Sequence, residues 1–243
     1  TPEDLLRLPE TDILGMGLRS PHEGKSLPVP SVLDESPAVL KTAGLSKRIS
    51  KEVIFEDVSL SFPEGKVTAI TGQNGAGKTT LAQILCGLAR QTRGHILIDG
   101  KKARAAVRRR EIYYCGNDTS TQFFTASVAE ELLLNTRLTE ESKDRARNLL
   151  KEFGLYEYRA AHPSALSGGQ KQRPAIACAI FSGRRILILD EPTSGLDGRN
   201  MRLIAEKLKS EARHGRTIPV ITHDRELIES CCDNLVGVEK RLS

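Results

Sequence analysis

The chain has 243 residues, of which 39% are hydrophobic and 28% charged, and its 36 Lys and Arg against 31 Asp and Glu give a formal net charge of +5. Such a chain can bury a sizeable core, and its charges are too well mixed in sign for a wholly disordered protein. No stretch approaches the roughly 20 consecutive apolar residues of a membrane-spanning helix, and the start lacks the pattern of a secretory leader. We therefore expect a soluble chain that is not secreted, with one compact domain and a tail.

Residues 1–45 form the first compositional segment, which is rich in Pro, Ser and charged residues. This composition is typical of a linker or a loosely attached arm. Short β-like runs begin near Ile49, so we assign the folded domain to residues 46–243. Because the chain begins with Thr1 rather than Met, we interpret it as a piece of a longer polypeptide or a processed chain.

The first part of the domain predicts strands, a loop and a helix. Runs of β-type residues occur at VIFEDVSLSF and KVTAITG, and the second run leads into a glycine-rich turn. The helix predicted after this turn has four apolar residues at the spacing of one buried face. They are Leu81, Ile84, Leu85 and Leu88. Two further strands are expected at HILIDG and EIYYCG.

The second part predicts a helical region followed by buried strands. Helices are expected from Ser127 to Ile180, with an interruption around His162 and Pro163. The run ILILD is continuously apolar and ends in an acid, which is typical of a strand buried on both faces of a parallel sheet. TIPVITHD predicts one more such strand.

The cysteines and one basic cluster have ordinary interpretations. The five cysteines show no metal-binding spacing, and we interpret them as reduced thiols of a cytosolic protein. We interpret the basic cluster as a solvated face, with contact to nucleic acid or anionic lipid as the alternative. Its members are Lys101, Lys102, Arg104, Arg108, Arg109 and Arg110.

A phosphate-binding motif lies between the strand KVTAITG and the following helix. Eight consecutive residues satisfy G-x-x-x-x-G-K-[ST]. They are Gly72, Gln73, Asn74, Gly75, Ala76, Gly77, Lys78 and Thr79. Backbone N–H groups of such a loop point at phosphate oxygens, together with the helix N-terminus. We expect Lys78 to reach the β- and γ-phosphates and Thr79 to ligate Mg²⁺.

Three polar residues at the ends of predicted strands are candidates for the chemistry. Asp190 ends the run ILILD and is placed to hold Mg²⁺, while the adjacent Glu191 is placed to orient or deprotonate the attacking water. His223 follows the run VIT and is placed to hydrogen-bond the γ-phosphate. An acidic turn and a structural histidine are the alternative interpretations when each residue is considered alone.

The order of four motifs resembles the ATP-binding-cassette (ABC) ATPases. GQNGAGKTT, which extends to Thr80, is followed by LSGGQ, ILILDEPTSGLD and ITHD. In that family the LSGGQ signature caps a nucleotide held by a partner domain. The resemblance implies this role for Ser167, Gly168, Gly169 and Gln170. It also implies that Asp197 lies in a loop crossing the interface, that Glu191 is the catalytic carboxylate and that His223 is the switch histidine.

The resemblance further implies an α/β P-loop NTPase fold with a mainly parallel core sheet, an antiparallel β subdomain and an α-helical signature subdomain at about residues 123–180. ATP and Mg²⁺ are the implied cofactors. The implied partners are a second ABC ATPase domain, paired head to tail as a copy or a different half, and a transmembrane transporter subunit. Nucleic acid is not expected as a partner. The implied location is cytoplasmic, peripheral on the inner face of the cell membrane.

Three features depart from the family pattern. Asn117 aligns with a glutamine that senses Mg²⁺ in the family, and Gln122 follows further on. Residues 45–52 contain no aromatic that could stack on adenine. Pro174 lies in the signature helix and Pro219 in a strand, where proline removes a backbone donor.

The motif details most resemble the ATPases of energy-coupling-factor transporters, which drive uptake of vitamins or metal ions such as cobalt. Members of that group often fuse two ATPase halves, and the arm resembles the connector that follows a first half. We therefore expect this chain to be the second half of such a fusion. Two alternatives stay open: a soluble ABC ATPase related to nucleic acid or translation, and a regulatory half-site with weak turnover.

Overall fold

A computed structural model of the chain describes Arg19 and residues 37–118 and 122–239. These residues form ten β-strands, in one parallel and one antiparallel sheet, and seven α-helices. The strands are β1 (Ala38–Ile49), β2 (Glu52–Val58), β3 (Ser61–Pro63), β4 (Val67–Thr71), β5 (Arg93–Ile98), β6 (Lys101–Lys102), β7 (Ile112–Cys115), β8 (Ile186–Asp190), β9 (Ile218–Ile221) and β10 (Asn234–Gly237). The helices are α1 (Lys78–Leu85), α2 (Ala105–Glu111), α3 (Val128–Leu133), α4 (Glu140–Glu152), α5 (Gly168–Phe181), α6 (Gly198–Arg213) and α7 (Arg225–Cys231).

The parallel sheet brings the ends of three strands to one edge of the molecule. Its strand order is β10-β4-β9-β8-β7, and every neighbouring pair is parallel. All residues of β4, β8 and β9 are buried, which confirms the interpretation of ILILD and TIPVITHD as buried parallel strands. Since parallel strands end at the same edge, the loops after β4, β8 and β9 meet there.

The apolar run of β8 is explained by the two hydrophobic cores that cover the sheet. Leu187 and Leu189 belong to the core that includes buried residues of α4, α5 and α6. Ile186 and Ile188 belong to the core formed with α1 and the antiparallel sheet. Successive side chains of a strand point to opposite faces, so a strand covered on both sides must be apolar at every position.

The folded domain begins earlier than expected, with the first strand of the antiparallel sheet. Its strand β1 pairs with β2, β3 and β5 and begins at Ala38. Val39, Leu40 and Leu45 are buried in the core below it. The boundary expected after residue 45 is therefore corrected to about residue 38. The remainder of the expected arm, apart from Arg19 and Pro37, lies outside the described residues.

The region expected to be helical contains α3, α4 and α5, which are separated by turns. The Thr139 hydroxyl accepts a hydrogen bond from the Ser142 N–H and starts α4 with a capping box. One face of α4 buries Ala146, Leu149 and Leu150, as their spacing predicts. Among the described residues, no helix has both the length and the apolar character needed to cross a lipid bilayer.

Helix α1 is shorter than its apolar spacing predicts. Leu81, Ile84 and Leu85 are buried, but Leu88 is 59% exposed. The helix ends after Leu85, and Gly87 adopts a φ of 77°, the left-handed conformation that commonly follows a helix end. The prediction that Leu88 extends the buried face is wrong for this reason.

One residue of the basic cluster, Arg108, is buried and does not face solvent. Arg108 is 4% exposed, and its Nη1 donates to the carbonyl oxygen of Ile84. Nη1 of Arg109 donates to the carbonyl oxygen of Gly87 at 2.9 Å. Both carbonyls lie at the C-terminal end of α1, where the helix dipole favours positive charge. The interpretation as a solvated face is therefore wrong for Arg108, which holds α2 against α1.

Pro219 lies in β9 at a point where its pairing with β8 is interrupted. The two strands pair through Thr217 and again through Val220, on either side of the proline. The N–H of Ile218 donates towards β4, to the carbonyl of Lys66 at 3.0 Å, so the next residue faces β8. The missing donor therefore costs one hydrogen bond of the β8–β9 pairing and leaves the β4–β9 pairing intact.

Pro174 lies inside α5 and cannot donate to the carbonyl four residues before it. The helix nevertheless continues to Phe181, and every residue from Pro174 to Phe181 is buried. We attribute the continuity of the helix to the burial of this apolar run, which offsets the lost backbone hydrogen bond.

Candidate phosphate-binding and catalytic site

A cavity of about 370 Å³ lies where the loops after β4, β8 and β9 meet. The residues around it come from all three loops, from β2 and from the segment after β7. They are Ile54, Asn74, Gly75, Gly77, Lys78, Thr79, Thr80, Asn117, Asp190, Glu191, Ile221 and His223. The structure thus brings together the phosphate loop, the two acids, Asn117 and the histidine that the sequence predicts as site residues.

Two glycines of the phosphate loop lie too close to neighbouring atoms for a side chain. Gly72 has a φ of 147°, and a Cβ there would lie 2.2 Å from the carbonyl oxygen of Val238. Gly77 has a φ of 86°, and its Cβ would lie 2.5 Å from Cγ2 of Ile54. A Cβ on Gly75 would meet nothing within 4 Å. The loop is therefore packed against the protein on one side and open on the other.

Lys78 is the buried cation of this loop. Its Nζ donates to the carbonyl oxygens of Gly72 and Gln73 at 2.7 and 3.0 Å. Burial lowers the pKa of Lys78, and the negative charges of Glu191 and Asp190 oppose this shift. A buried ammonium held only by neutral carbonyls would gain stronger, charge-assisted hydrogen bonds from a phosphate in the cavity.

Thr79 and Asp190 provide two oxygens that suit Mg²⁺. Oγ1 of Thr79 donates to Oδ2 of Asp190 at 2.7 Å, and the Tyr114 hydroxyl donates to the same oxygen at 3.3 Å. Burial raises the pKa of Asp190, and these hydrogen bonds and the charge of Lys78 oppose the shift. No cluster of three His, Cys, Asp or Glu in the described part of the chain could hold a metal alone. The oxygen pair therefore fits an ion shared with substrate phosphates, as is usual for Mg²⁺.

Glu191 has surroundings different from those of Asp190. Its backbone φ of 50° is uncommon for a residue with a side chain, and its N–H donates to the carbonyl of Ile221 at 2.8 Å. Oε2 accepts from Thr222 Oγ1 at 3.2 Å, and Oε1 lies 3.9 Å from Nε2 of His223. Burial raises the pKa of Glu191, while His223 and Thr222 oppose the shift. A partly desolvated carboxylate in a cavity is suited to accept a proton from water.

Asn117 and Gln122 lie in different surroundings. Asn117 lines the cavity together with both acids. Gln122 turns to its own loop, where Nε2 donates to the carbonyls of Gly116 and Asp118 at 3.0 and 3.2 Å. Residues 119–121 lie outside the described residues. Asn117 therefore lies at the cavity, whereas Gln122 is not among the residues that line it.

The signature residues lie at the start of α5, outside the cavity lining. Oγ of Ser167 accepts from the Gln170 N–H, and the Gln170 side chain accepts from the Ser167 N–H at 2.9 Å. This capping box fixes the first turn and leaves Gly168 with open space around it. A Cβ on Gly169 would lie 2.6 Å from the carbonyl oxygen of Gly195. The signature therefore packs against the loop after β8.

That loop ends at Asp197, the N-cap of α6. Oδ1 of Asp197 accepts from the N–H of Asn200 at 2.7 Å, and Oδ2 accepts from its side-chain amide at 3.1 Å. The Leu196 N–H donates to the carbonyl of Thr193 at 3.1 Å and closes a tight turn. Asp197, like the signature, does not line the cavity beside the phosphate loop of its own chain.

We expect Gly169→Ala to lower the free energy of unfolding by about 1–3 kcal/mol, because the methyl group must displace the backbone of Gly195. Gly168→Ala is the matched control, since its methyl group meets nothing within 4 Å. Its effect should be below about 1 kcal/mol and in the stabilising direction. Urea unfolding of the two variants measures the difference, and equal stabilities would contradict the close packing.

Several residues of this site are not identified by sequence patterns. Tyr114 and Thr222 contact the two carboxylates, and Ile54 reaches the phosphate loop from β2. Thr222 directly precedes His223, so its position next to a site residue is a usable signal. Tyr114 and Ile54 carry no such signal, because their place in the site depends on the packing of β7 and β2.

A glycine-rich loop on a parallel sheet, with paired acids at the end of a nearby strand, defines a P-loop nucleotide-binding fold. A family model described as ABC transporter matches residues 55–194. The chain therefore belongs to the ABC transporter family. The described structure has the parallel sheet, the antiparallel sheet and the helices expected for an ABC ATPase domain, which confirms the predicted fold class.

Individual relatives agree with this assignment. A putative ABC transporter ATP-binding protein of Treponema denticola is 40% identical over 193 residues, which are 79% of this chain and 39% of the relative. The energy-coupling factor transporter ATP-binding protein EcfA1 of Thermotoga maritima is 35% identical over 189 residues, 76% of this chain and 73% of the relative. The chain thus spans about two fifths of the Treponema protein.

One solved structure has a similar fold and a related sequence. It is cbiO1 from Clostridium perfringens, described as part of the ABC transporter complex cbiONQ. The TM-score is 0.70 at 32% identity, and the match covers 83% of this chain and 85% of that chain.

Proposed function

We propose that this chain binds Mg²⁺–ATP and hydrolyses it to power transport across a membrane. One observation carries the proposal: Lys78, Thr79, Asp190, Glu191 and His223 line a single cavity at the edge of the parallel sheet. They supply a cation, two oxygens suited to Mg²⁺, a partly desolvated carboxylate and a hydrogen-bond donor. Family membership supports the same assignment.

Each of these residues would have a separate task. Bound Mg²⁺–ATP supplies the γ-phosphoryl group and the positive charge of the metal. Lys78 would donate to phosphate oxygens, and Thr79 and Asp190 would hold the ion. Glu191 would orient the attacking water and accept its proton, since its carboxylate is partly desolvated and its contacts differ from those of Asp190. His223 would donate a hydrogen bond to a γ-phosphate oxygen.

We propose that the site is completed by a second ABC ATPase domain, packed head to tail. The signature residues 167–170 do not line the cavity of their own chain. They form a helix N-terminus with small residues, which is a favourable environment for the phosphates of a partner's nucleotide. Asp197 lies in the adjoining loop and would contact the same partner.

The proposed further partner is a transmembrane transporter subunit, which places the chain in the cytoplasm on the inner face of the membrane. The energy-coupling-factor type is supported by the similarity to the Thermotoga EcfA1 protein and the Clostridium cbiO1 structure. The match covers only 39% of the Treponema relative, so that relative is long enough to contain a second ATPase half beside the matched one. We propose that this chain is one half of such a pair. We assign it as the second half, because its arm resembles the connector that follows a first half.

The test is the rate of ATP hydrolysis per molecule of purified chain over a wide range of protein concentrations. We expect the specific rate to rise with concentration, because two copies would complete each other's sites. Hydrolysis should require Mg²⁺ and should stop when EDTA removes the metal. ATP binding without hydrolysis at any concentration would contradict turnover by a homodimer and favour a different half as partner. No ATP binding at all would contradict the proposed function.

A further inference from the structure

Arg19 is the one residue before Pro37 that the structure describes, and it contacts the loop between β8 and α6. Its Nη2 lies 3.3 Å from the carbonyl oxygen of Thr193 and 3.2 Å from that of Leu196. Its Nε also donates to the Leu196 carbonyl at 3.3 Å. These two carbonyls belong to the tight turn that leads to Asp197. A residue of the expected arm thus holds the turn from outside.

The same guanidinium is paired with a carboxylate next to the catalytic histidine. Nη1 of Arg19 lies 2.6 Å from Oδ2 of Asp224, and 3.6 Å from a carboxylate oxygen of Glu226. The Thr193 hydroxyl donates to the same Asp224 oxygen at 2.6 Å. Arg19 is 32% exposed and Asp224 is 17% exposed, so solvent screens this pair only partly. We call Arg19, Thr193, Leu196 and Asp224 the Arg19 clamp.

The Arg19 clamp is connected to Glu191 by two hydrogen bonds. The N–H of Asp224 donates to Oγ1 of Thr222 at 3.0 Å, and this hydroxyl donates to Oε2 of Glu191 at 3.2 Å. Asp224 also caps α7 by accepting from the Leu227 N–H at 3.2 Å. The loop after β8 and the loop after β9 are therefore joined by the Arg19 guanidinium and by the Thr193 hydroxyl. The second of these loops contacts the Glu191 carboxylate, which is proposed to accept a proton from water.

An arginine is well suited to this position, because its planar fork can donate to a carboxylate and to two carbonyls at once. A lysine could keep the pairing with Asp224 but not all contacts to the turn. The contacts span more than 170 positions of sequence, from Arg19 to Thr193 and beyond. Replacing Arg19 would remove these contacts to the turn. Since Arg19 does not line the cavity, the substitution would leave every cavity residue in place.

The geometry points to Arg19 as a positioning residue, which holds the turn at residues 193–197 and, through Asp224 and Thr222, orients Glu191 for hydrolysis. This inference rests on the proposed function for its effect on turnover. It goes beyond that function because it assigns control of the catalytic loops to a residue outside the ATPase motifs.

The test compares Arg19→Ala and Arg19→Lys with Arg185→Ala in the full chain. Arg185 is a matched control, because its two terminal nitrogens pair with both carboxylate oxygens of Asp99 at 2.8 and 2.9 Å, away from the cavity. Hydrogen exchange without nucleotide is measured at the amides of Leu196 and Asp224. The Leu196 N–H donates to the carbonyl of Thr193, and the Asp224 N–H donates to the hydroxyl of Thr222. The kcat and KM for ATP are measured in parallel.

We expect faster exchange at both amides in Arg19→Ala and no change in Arg185→Ala. We expect kcat to fall on the order of tenfold in Arg19→Ala, with partial recovery in Arg19→Lys and an unchanged KM, since Arg19 does not line the cavity. Unchanged exchange overturns the inference whether or not the chain hydrolyses ATP. A wild-type kcat in Arg19→Ala, or an equal loss in Arg185→Ala, also overturns it. An inactive wild-type chain with faster exchange in Arg19→Ala would contradict turnover by this chain without a different half, and it would confirm that Arg19 holds the turn.

Discussion

Glu191→Gln should lower the turnover of ATP by about 10²- to 10⁴-fold while ATP binding is retained. The amide keeps the size of the side chain and can still contact Thr222 and His223, but it cannot accept a proton from water. Lys78 and Thr79, the residues proposed to bind the phosphates and Mg²⁺, are unchanged, so the loss should appear in kcat and not in the affinity for ATP. Single-turnover hydrolysis and equilibrium ATP binding measure the two effects.

Glu152→Gln is the control for this substitution. Glu152 is on α4, where its carboxylate pairs with Nζ of Lys207 at 2.6 Å, and it does not line the cavity. We expect it to turn over ATP at the wild-type rate. A Glu191→Gln variant as active as this control would contradict the assignment of the base.

Lys78→Ala should weaken ATP binding by about 10- to 100-fold, the loss expected for one or more charge-assisted hydrogen bonds. In the structure the ammonium is buried among the loop carbonyls of Gly72 and Gln73, and burial lowers its pKa. The alanine leaves the loop without a cation for the phosphate charge. Titration calorimetry with a non-hydrolysable ATP analogue measures the loss.

The matched control is Lys47→Ala. Nζ of Lys47 also donates to a backbone carbonyl, that of Arg90 at 2.8 Å, but on the exposed surface of the antiparallel sheet. Its removal should leave the affinity for ATP within about twofold of wild type. Equal losses in both variants would show that Lys78 has no special contact with the nucleotide.

The cavity residues are predictable from sequence because they follow elements with strong signals. ILILD must be a strand buried on both faces, and the acid at its end must lie at the edge where the phosphate loop also begins. The pattern of the glycine loop fixes Lys78 and Thr79 in the same way. The parallel order of the strands then brings Oγ1 of Thr79 to 2.7 Å from Oδ2 of Asp190.

Other features depend on long-range packing that no local pattern encodes. β1 begins at Ala38 because Val39 and Leu40 are covered by the core, although the preceding segment resembles a linker in composition. Arg108 belongs to a basic run that is typical of surfaces, yet it is buried against the end of α1. Arg19 contacts a loop far away in sequence, so only the fold shows its partners.

A mixing experiment with two variants distinguishes an ATP site built from two domains from a site contained in one chain. Lys78→Ala removes the cation of the phosphate loop and keeps the signature. Gly168→Asp keeps the phosphate loop and places a negative charge on the signature. A Cβ at this position meets no atom within 4 Å beyond its chain neighbours and the backbone of its own helix.

At an ATP concentration too low to fill the weakened Lys78→Ala site, each variant alone should show little hydrolysis, since each pair of identical copies then has two defective sites. An equal mixture should recover about a quarter of the wild-type rate, because half of the randomly formed pairs are mixed and each of these has one complete site. Hydrolysis by either variant alone at the wild-type rate, or no recovery in the mixture of variants of an active chain, would contradict a site shared between two domains.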